Sequence, residues 1–347
     1  MFLSSESLRE AELQLREALV AQLKNTADEN SSAGDFCLHF INSITSLLGT
    51  GASLSRERQD SIRTLCELVE ERPFPALVWA RLIPRFLNDV PFLACAVEQV
   101  LADKRALKRD IGGVIAAHAS EIGLHRDARV LIQGYSGTIP AILAELQREA
   151  RVPSKLFVMQ QNRRGVNEGT LLQSDLLKHQ INVTVLEDHV ALGMLRDGAF
   201  STLVTGSKAI GLWKNQLSVI NTFSEQLPTT AREANTKVLV IGGRYKFWPH
   251  DLYGEYATRV AASKAEKRFD AVIGQEMIDW IGTEGGAFQP VDCRGAYAEY
   301  LTATIDTYPG WSPEHHRNDA PTVRLRPVSR IKVAGPAMAD VIRENRE

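Results

Sequence analysis

The sequence predicts an α/β protein in which a helical N-terminal domain, residues 1–125, precedes a parallel-sheet domain, residues 126–347. Two observations support this division. From the start of the chain, leucines recur at helical spacing among Glu, Arg and Gln residues. After Asp127, β-rich apolar runs alternate with helical segments at a spacing of about 20–35 residues, which is typical of βαβ units. The chain is long enough for two domains.

Helical segments follow one another through the N-terminal domain, with few strand candidates and no repeat of fixed period. Each segment is an apolar stretch at helical spacing, and glycines or prolines separate some of them, as at Gly49 and Pro73. The predicted helices cover residues 8–23, 35–48, 55–71, 79–87, 92–101 and 108–120.

Five apolar runs after residue 125 predict the strands of a parallel sheet: 130–132, 156–159, 183–186, 202–205 and 238–241. Ligands of such sheets lie beyond the carboxyl ends of the strands. The candidate functional positions therefore follow the runs, at 134–137, 160–164, 188–189, 206–208 and 243–246. Residues 269–273 could form a further strand. Residues 309–327 carry four prolines and suggest an extended arm over the surface.

Length, charge and cysteine usage argue against several classes of protein. The 347-residue chain has a formal net charge of −2, so we expect no nucleic-acid partner and no membrane-surface binding. No apolar stretch is long enough to span a bilayer, and the acidic start is unlike a signal peptide. Four cysteines far apart predict reduced, buried thiols: Cys37, Cys66, Cys95 and Cys293. We therefore expect a soluble, cytoplasmic protein.

No sequence motif predicts a cofactor or a metal ion. The paired histidines His315 and His316 invite a metal interpretation, but no third ligand accompanies them at a fixed spacing. A solvated loop is the preferred interpretation of this pair. We expect neither a cofactor nor a metal site.

Residues 129–146 combine an apolar strand, a glycine turn and a helix. This arrangement directs unpaired backbone N–H groups and the positive end of a helix dipole towards the top of a sheet, which favours a phosphate. We expect Gly134, Ser136, Gly137 and Thr138 to hold that phosphate through backbone and hydroxyl groups. An ordinary βα turn without a ligand explains the motif alone equally well.

Charged residues at the ends of the next strands extend this prediction. Arg163 and Arg164 could clamp a phosphate or pair with surface carboxylates. Lys208 could neutralise a phosphate, act as a base or amine nucleophile, or form a salt bridge. Asp188, beside His189, could do acid–base work or cap the following helix. None of these residues forms a specific catalytic signature.

The order of these pieces resembles one protein superfamily. The matching segments are GYSGTIPAIL, an Arg-containing loop that ends at Gly169, INVTVLEDHVALGML, FSTLVTGSKAI and KVLVIGGRYKFWP. The superfamily contains the alpha, beta and delta regulatory subunits of eukaryotic translation initiation factor two-B, methylthioribose-1-phosphate isomerase and ribose-1,5-bisphosphate isomerase. The resemblance implies a helical domain on a Rossmann-like domain, a homodimer, and a phosphorylated sugar or nucleotide held at the sheet top.

The sequence departs from the isomerases of this superfamily at their reactive positions. Tyr135 stands where the isomerases carry a catalytic cysteine, and Lys208 stands where they carry an aspartate. Ser218 and Val219 replace an Asn-Lys pair. An aldose–ketose isomerisation needs a group that moves a proton, or a polarising acid at a hydride-shift site. The resemblance therefore implies that the isomerase mechanism of the superfamily is missing.

These observations lead to one leading hypothesis and two alternatives. We expect a regulatory or assembly protein that binds a phosphorylated small molecule, with Gly206 and Lys246 among the ligand-binding residues. The first alternative is a diverged sugar-phosphate isomerase or lyase that uses Tyr135, Asp188 or Lys208. The second is an exchange subunit like those of translation factors, for which resemblance of fold is not evidence.

Overall fold

The computed structural model describes residues 5–28, 33–49, 53–70, 76–163, 166–222, 226–262 and 270–305. The chain divides into two compact units, residues 1–295 and 296–347, and the contacts below all lie within the first. The predicted arm at 309–327, with His315 and His316, lies outside the described residues. The division into domains at residues 125 and 126 remains a prediction.

Helices make up the first part of the described chain: α1 (Ser5–Asp28), α2 (Ala33–Leu48), α3 (Arg56–Glu70), α4 (Ala76–Leu82) and α5 (Val90–Ala117). A 3-10 turn, Ile83–Phe86, follows α4. Helix α2 contacts α1, α3, α4 and α5. Its apolar residues Phe36, Phe40 and Ile44 are buried, so α2 forms the centre of this part of the molecule. The helical N-terminal region is confirmed.

Helix α5 runs without interruption, so the prediction of two separate helices over 92–101 and 108–120 is wrong. A lysine, Lys104, stands in the buried stripe of this helix and breaks its apolar pattern in the sequence. Lys104 occupies the inward-facing position between Val100 and Leu107. The helical spacing of buried side chains therefore continues through the charged run. The apolar members of the stripe are Val97, Val100, Leu107, Ile111 and Ile115.

The rest of the described chain alternates strands and helices. The strands are β1 (Arg129–Gln133), β2 (Lys155–Met159), β3 (Asn162–Arg163), β4 (Val166–Asn167), β5 (Thr184–Leu186), β6 (Thr202–Gly206), β7 (Ala209–Trp213), β8 (Gln216–Thr222), β9 (Lys237–Ile241), β10 (Asp270–Gly274), β11 (Trp280–Thr283) and β12 (Gly286–Phe288). The helices are α6 (Ile139–Arg148), α7 (Glu168–Leu177), α8 (Asp188–Arg196), α9 (Gln226–Glu233), α10 (His250–Ala262) and α11 (Pro290–Ile305).

Seven strands form the central sheet, in the order β12-β11-β9-β6-β1-β2-β5. All neighbouring strands are parallel except β11 and β12. Val130 and Ile132 of β1 pack with α5, α6 and α7 on one face, whereas Leu131 packs with α8 and α9 on the other. The five predicted strands correspond to β1, β2, β5, β6 and β9, so the Rossmann-like parallel sheet is confirmed.

The order of the strands places a topological switch point beside β1. The chain passes from β1 to β2 and β5 on one side, then returns to β6 on the other side of β1. The loops that leave β1 and β6 therefore diverge, and a crevice opens between their carboxyl ends. This crevice is the place at which the fold favours a ligand.

A small antiparallel sheet, β7-β8-β10, follows the carboxyl end of β6. Strand β10 corresponds to the predicted strand at 269–273, but the hairpin of β7 and β8 was not predictable from its turn. Lys214 and Asn215 form that turn with φ of +50° and +63°, a conformation for which glycine is the usual sequence signal.

Cysteine burial differs in part from the prediction. Cys37, Cys66 and Cys293 are buried, as predicted, but Cys95 is exposed on α5, so the prediction is wrong for this residue. Cys95 lies outside the stripe of α5 that faces the core.

No helix within the described ranges is long and apolar enough to cross a membrane. The same residues contain no group of three His, Cys, Asp or Glu side chains that could hold a metal ion.

Candidate functional site

The turn between β1 and α6 places the start of α6 at the carboxyl edge of the central sheet. Gly134 has φ +73°, in the left-handed region that favours glycine. Thr138 is the N-cap residue of α6, and its side chain makes no capping hydrogen bond. The N–H of Ile139 donates to the carbonyl oxygen of Ser136 at 3.1 Å. The turn has the strand–turn–helix geometry of an anion-binding loop.

The β1–α6 turn lies against the end of β6, on the opposite side of the switch point. A Cβ atom at Gly206 would lie 3.5 Å from the Cβ atom of Ser136. At Gly137, by contrast, a Cβ atom would meet no described atom within 4 Å. The crevice is therefore narrow at Ser136 and open above Gly137.

Tyr135 points towards α7. Its hydroxyl donates to Oδ2 of Asp175 at 2.7 Å, and Lys178 donates to Oδ1 of the same carboxylate at 2.6 Å. These bonds, the one from Lys178 first, lower the pKa of Asp175. The N–H of Tyr135 donates to Oε2 of Glu168 at 3.0 Å. Both polar ends of Tyr135 thus bind carboxylates of α7.

Asp188 is the first residue of α8 and fixes the loop that leaves β2. Its Oδ1 accepts the N–H of Gln161 at 2.9 Å. Arg163 belongs to β3 and pairs with Val166 across a short hairpin. The side chain of Arg163 and the whole of Arg164 lie outside the described residues.

Lys208 forms a buried ion pair with Asp270, the first residue of β10. Its Nζ lies 2.5 Å from Oδ1 of Asp270, and the two side chains are 8% and 10% exposed. Tyr256 donates to the other oxygen of Asp270 at 3.0 Å. Burial, together with the charge of Asp270, raises the pKa of Tyr256. The structure therefore directs Lys208 to the small antiparallel sheet.

Lys246 belongs to a group of two buried lysines around a tyrosine ring, which we call the lysine cluster (Lys104, Tyr245 and Lys246). Lys246 donates to the carbonyl oxygen of Ser207, the residue that follows β6. Lys104 donates to the Tyr245 hydroxyl at 3.2 Å. The ammonium groups of Lys104 and Lys246 lie 5.0 and 5.8 Å from the centre of the Tyr245 ring. The cluster joins α5 to the loops that leave β6 and β9.

Cys37 of α2 lies within the electrostatic field of this cluster. Burial raises the pKa of its thiol to about 12, and the charges of Lys104 and Lys246 act in the opposite direction. The helical part of the molecule therefore contributes to the surroundings of Lys246.

Several residues of the site carry little signal in the sequence and were not predicted. Glu168 and Asp175 appear in the sequence as ordinary charges of an exposed helix, and Lys104 as part of the basic run DKRALKR. Gln161 carries no signal in the sequence. A lysine that interrupts an apolar stripe is the one signal that would have found Lys104.

A separate groove lies between α5 and α6 and is a rival place for an anion. Its volume is about 350 Å³, and its lining includes Lys108, Arg109, Arg148 and His179. Two of these cations already have carboxylate partners, because Arg109 pairs with Asp110 and Arg148 pairs with Glu145.

The fold and the site define the class of protein. It is a Rossmann-like α/β protein with a helical N-terminal region and a glycine turn at the switch point of its sheet. Within this class, the chain belongs to the Initiation factor 2 subunit family, whose sequence profile matches residues 5–269. The predicted resemblance is thereby confirmed. No curated protein matches the chain.

Solved structures of similar fold come from both branches of the resemblance. The translation initiation factor eIF-2B of Pyrococcus horikoshii is 17% identical, with a TM-score of 0.60 over 82% of this chain and 98% of that one. The tetrameric eIF2B-beta2-delta2 complex of C. thermophilum is 15% identical, with a TM-score of 0.62 over 86% and 100%. The 5-methylthioribose 1-phosphate isomerase of P. horikoshii is 13% identical, with a TM-score of 0.54 over 83% and 87%. At these identities the likeness shows the fold alone.

Proposed function

We propose that the protein binds a phosphorylated sugar or nucleotide at the carboxyl edge of its central sheet, as a homodimeric regulatory or assembly protein of its family. The observation that carries the proposal is the open β1–α6 turn at the switch point. A phosphate above Gly137 would face the positive end of α6 and the backbone N–H groups of the turn.

The lysine cluster supports this placement of the phosphate. Ser136 packs against Gly206, and the next residue, Ser207, accepts a hydrogen bond from Lys246. Contacts thus lead from the turn to Lys246 across the crevice. A buried ammonium group acts in a low local dielectric, so its attraction for a phosphate is stronger than at the surface.

The bonds of the three residues considered for catalysis favour binding over turnover. The Tyr135 hydroxyl donates a hydrogen bond to Asp175, Asp188 accepts a backbone N–H, and Lys208 is paired with Asp270. A lysine acts as a base or nucleophile only as the neutral amine, whereas a buried carboxylate partner favours the ammonium form. We therefore propose that these three side chains hold the structure of the site and do not take part in a reaction.

Melting curves of the purified protein with ribose phosphates and nucleoside monophosphates test the proposal. A ligand at a hundred times its Kd stabilises the folded state by about 2.7 kcal/mol. Gly137→Asp should abolish this shift, because it places a negative charge where the phosphate would lie. The variant should melt at or slightly above the wild-type temperature, since an aspartate favours a helix start.

Gly113→Asp on α5 is the matched control, because its Cβ atom also meets no described atom within 4 Å. It should keep the ligand-induced shift. If Gly137→Asp keeps the ligand-induced rise in melting temperature, the ligand does not bind at the turn. No shift of the wild type with any of these ligands would overturn the proposal.

Incubation of a bound sugar phosphate with the protein, followed by NMR, separates the proposal from the isomerase or lyase alternative. We expect the ligand to remain unchanged. A product whose formation is lost in Lys208→Met, under conditions where circular dichroism shows that the variant is still folded, would favour the alternative.

A further inference from the structure

Gln161 is a buried glutamine with an unusual backbone at the carboxyl end of β2. It is 2% exposed and has φ +41°, in the left-handed region that residues other than glycine rarely adopt. Its carboxamide oxygen has no hydrogen-bond partner among the described residues. Both features are unfavourable for folding, and such features occur preferentially at functional sites.

Hydrogen bonds hold the backbone of Gln161 in this conformation. Its N–H donates to Oδ1 of Asp188 at 2.9 Å, and its carbonyl oxygen accepts the N–H of Glu168 at 3.2 Å. Glu168 in turn accepts the N–H of Tyr135. Gln161 is therefore tied, through one residue, to the β1–α6 turn.

The surroundings of Gln161 define which ligand group it would accept. An unpaired carboxamide oxygen requires a hydrogen-bond donor. The carboxylate of Asp188, which accepts the backbone N–H of Gln161, would repel a phosphate but tolerate a neutral hydroxyl. A sugar hydroxyl satisfies both conditions.

We propose that the carboxamide oxygen of Gln161 accepts a hydrogen bond from a sugar hydroxyl of a ligand whose phosphate lies at the β1–α6 turn. This inference rests on the proposed function and deepens it, because it makes the site selective for a sugar phosphate over phosphate alone. Gln161 is then a specificity-determining residue, whereas the turn supplies the affinity for phosphate.

The test compares the binding of ribose 5-phosphate and inorganic phosphate by calorimetry. Gln161→Met has a side chain of similar length without the acceptor, so it should weaken ribose 5-phosphate binding about tenfold and leave phosphate binding unchanged. Gln161→Asn moves the acceptor back by one methylene and should have the same effect. Asparagine is favoured at a left-handed φ, so this second variant keeps the local fold.

Gln160→Met is the matched control, because the backbone of Gln160, and not its side chain, bonds to Leu186 and Gly169. It should leave both affinities unchanged. In the absence of ligand, Gln161→Met should melt no lower than the wild type, since an unpaired buried acceptor has been removed.

Equal losses for both ligands, or no loss for either, would overturn the role of Gln161 while leaving phosphate binding established. A lower melting temperature with unchanged selectivity would show a purely structural glutamine. A wild type that binds neither ligand would overturn the proposed function together with this inference.

Discussion

The two sides of the central sheet differ in charge at their carboxyl ends. On the side of β2 and β5, three carboxylates accept backbone N–H groups or a hydroxyl, and we call them the acidic side (Glu168, Asp175 and Asp188). On the side of β6 and β9, buried lysines bind a carboxylate or a carbonyl oxygen, and we call them the basic side (Lys208 and Lys246).

This arrangement places the two sets of side chains on opposite sides of β1, the strand at the switch point, with the charge of Lys208 neutralised by Asp270. A ligand with one charged end and one neutral end would be oriented by it, with phosphate towards the basic side and hydroxyls towards the acidic side. The fold provides the crevice, and the charged side chains determine the orientation in which a ligand would bind there.

The largest expected effect concerns the basic side. Lys208→Met leaves the buried carboxylate of Asp270 without its cation, so we expect the free energy of unfolding to fall by about 3–5 kcal/mol. Urea denaturation measures this loss. The double variant Lys208→Met/Asp270→Asn should recover part of it. Normal stability with lost ligand binding would instead make Lys208 a ligand-binding residue.

On the acidic side, Tyr135→Phe removes the hydroxyl that donates to Asp175. Hydrogen bonds to charged groups contribute about 1.5–3 kcal/mol, and Tyr135 is half-buried, so we expect a loss near the lower end of that range. Turnover, if any sugar phosphate is converted, should not depend on this hydroxyl. A variant with wild-type stability would show that the bond to Asp175 contributes little.

The pH dependence of stability sharpens the same contact. Because the folded pKa of Asp175 is lowered, its contribution is present above the ordinary aspartate pKa of about 3.9 and is lost as the pH falls below it. The difference in unfolding free energy between wild type and Asp175→Asn should therefore shrink from neutral pH towards pH 3. A difference that stays constant would contradict the lowered pKa.

The smallest effect is a difference in thiol reactivity. Cys95 is exposed, whereas burial raises the pKa of Cys37 to about 12 despite the two nearby lysines. At pH 8 a thiol reagent should label Cys95 of the native protein rapidly and Cys37 only after denaturation. Rapid labelling of Cys37 would mean that the lysine cluster is open to solvent.

Local sequence patterns predicted the parts of this molecule that depend on neighbours in the chain. Apolar runs indicated β1, β2, β5, β6 and β9, and the two glycines at 134 and 137 indicated the turn. The ion pair of Lys208 with Asp270 joins residues 62 positions apart, so no local pattern could show it.

Some features of the site depend on geometry that a sequence does not contain. The left-handed backbone of Gln161 is held by hydrogen bonds to α7 and α8, and its carboxamide oxygen has no partner among the described residues. Lys104 is a basic residue in a basic run, and only the packing of α5 reveals that it is buried. Charge alone therefore drew attention to Arg163 and Arg164, whereas Gln161 in the same loop is buried and uncharged.

A crystal structure of the protein with ribose 5-phosphate tests the central claim most directly. We expect the phosphorus atom above Gly137, within reach of the backbone N–H groups at the start of α6, and the sugar hydroxyls on the side of Gln161. A phosphate bound instead in the groove between α5 and α6, beside Lys108 and Arg148, would contradict the account.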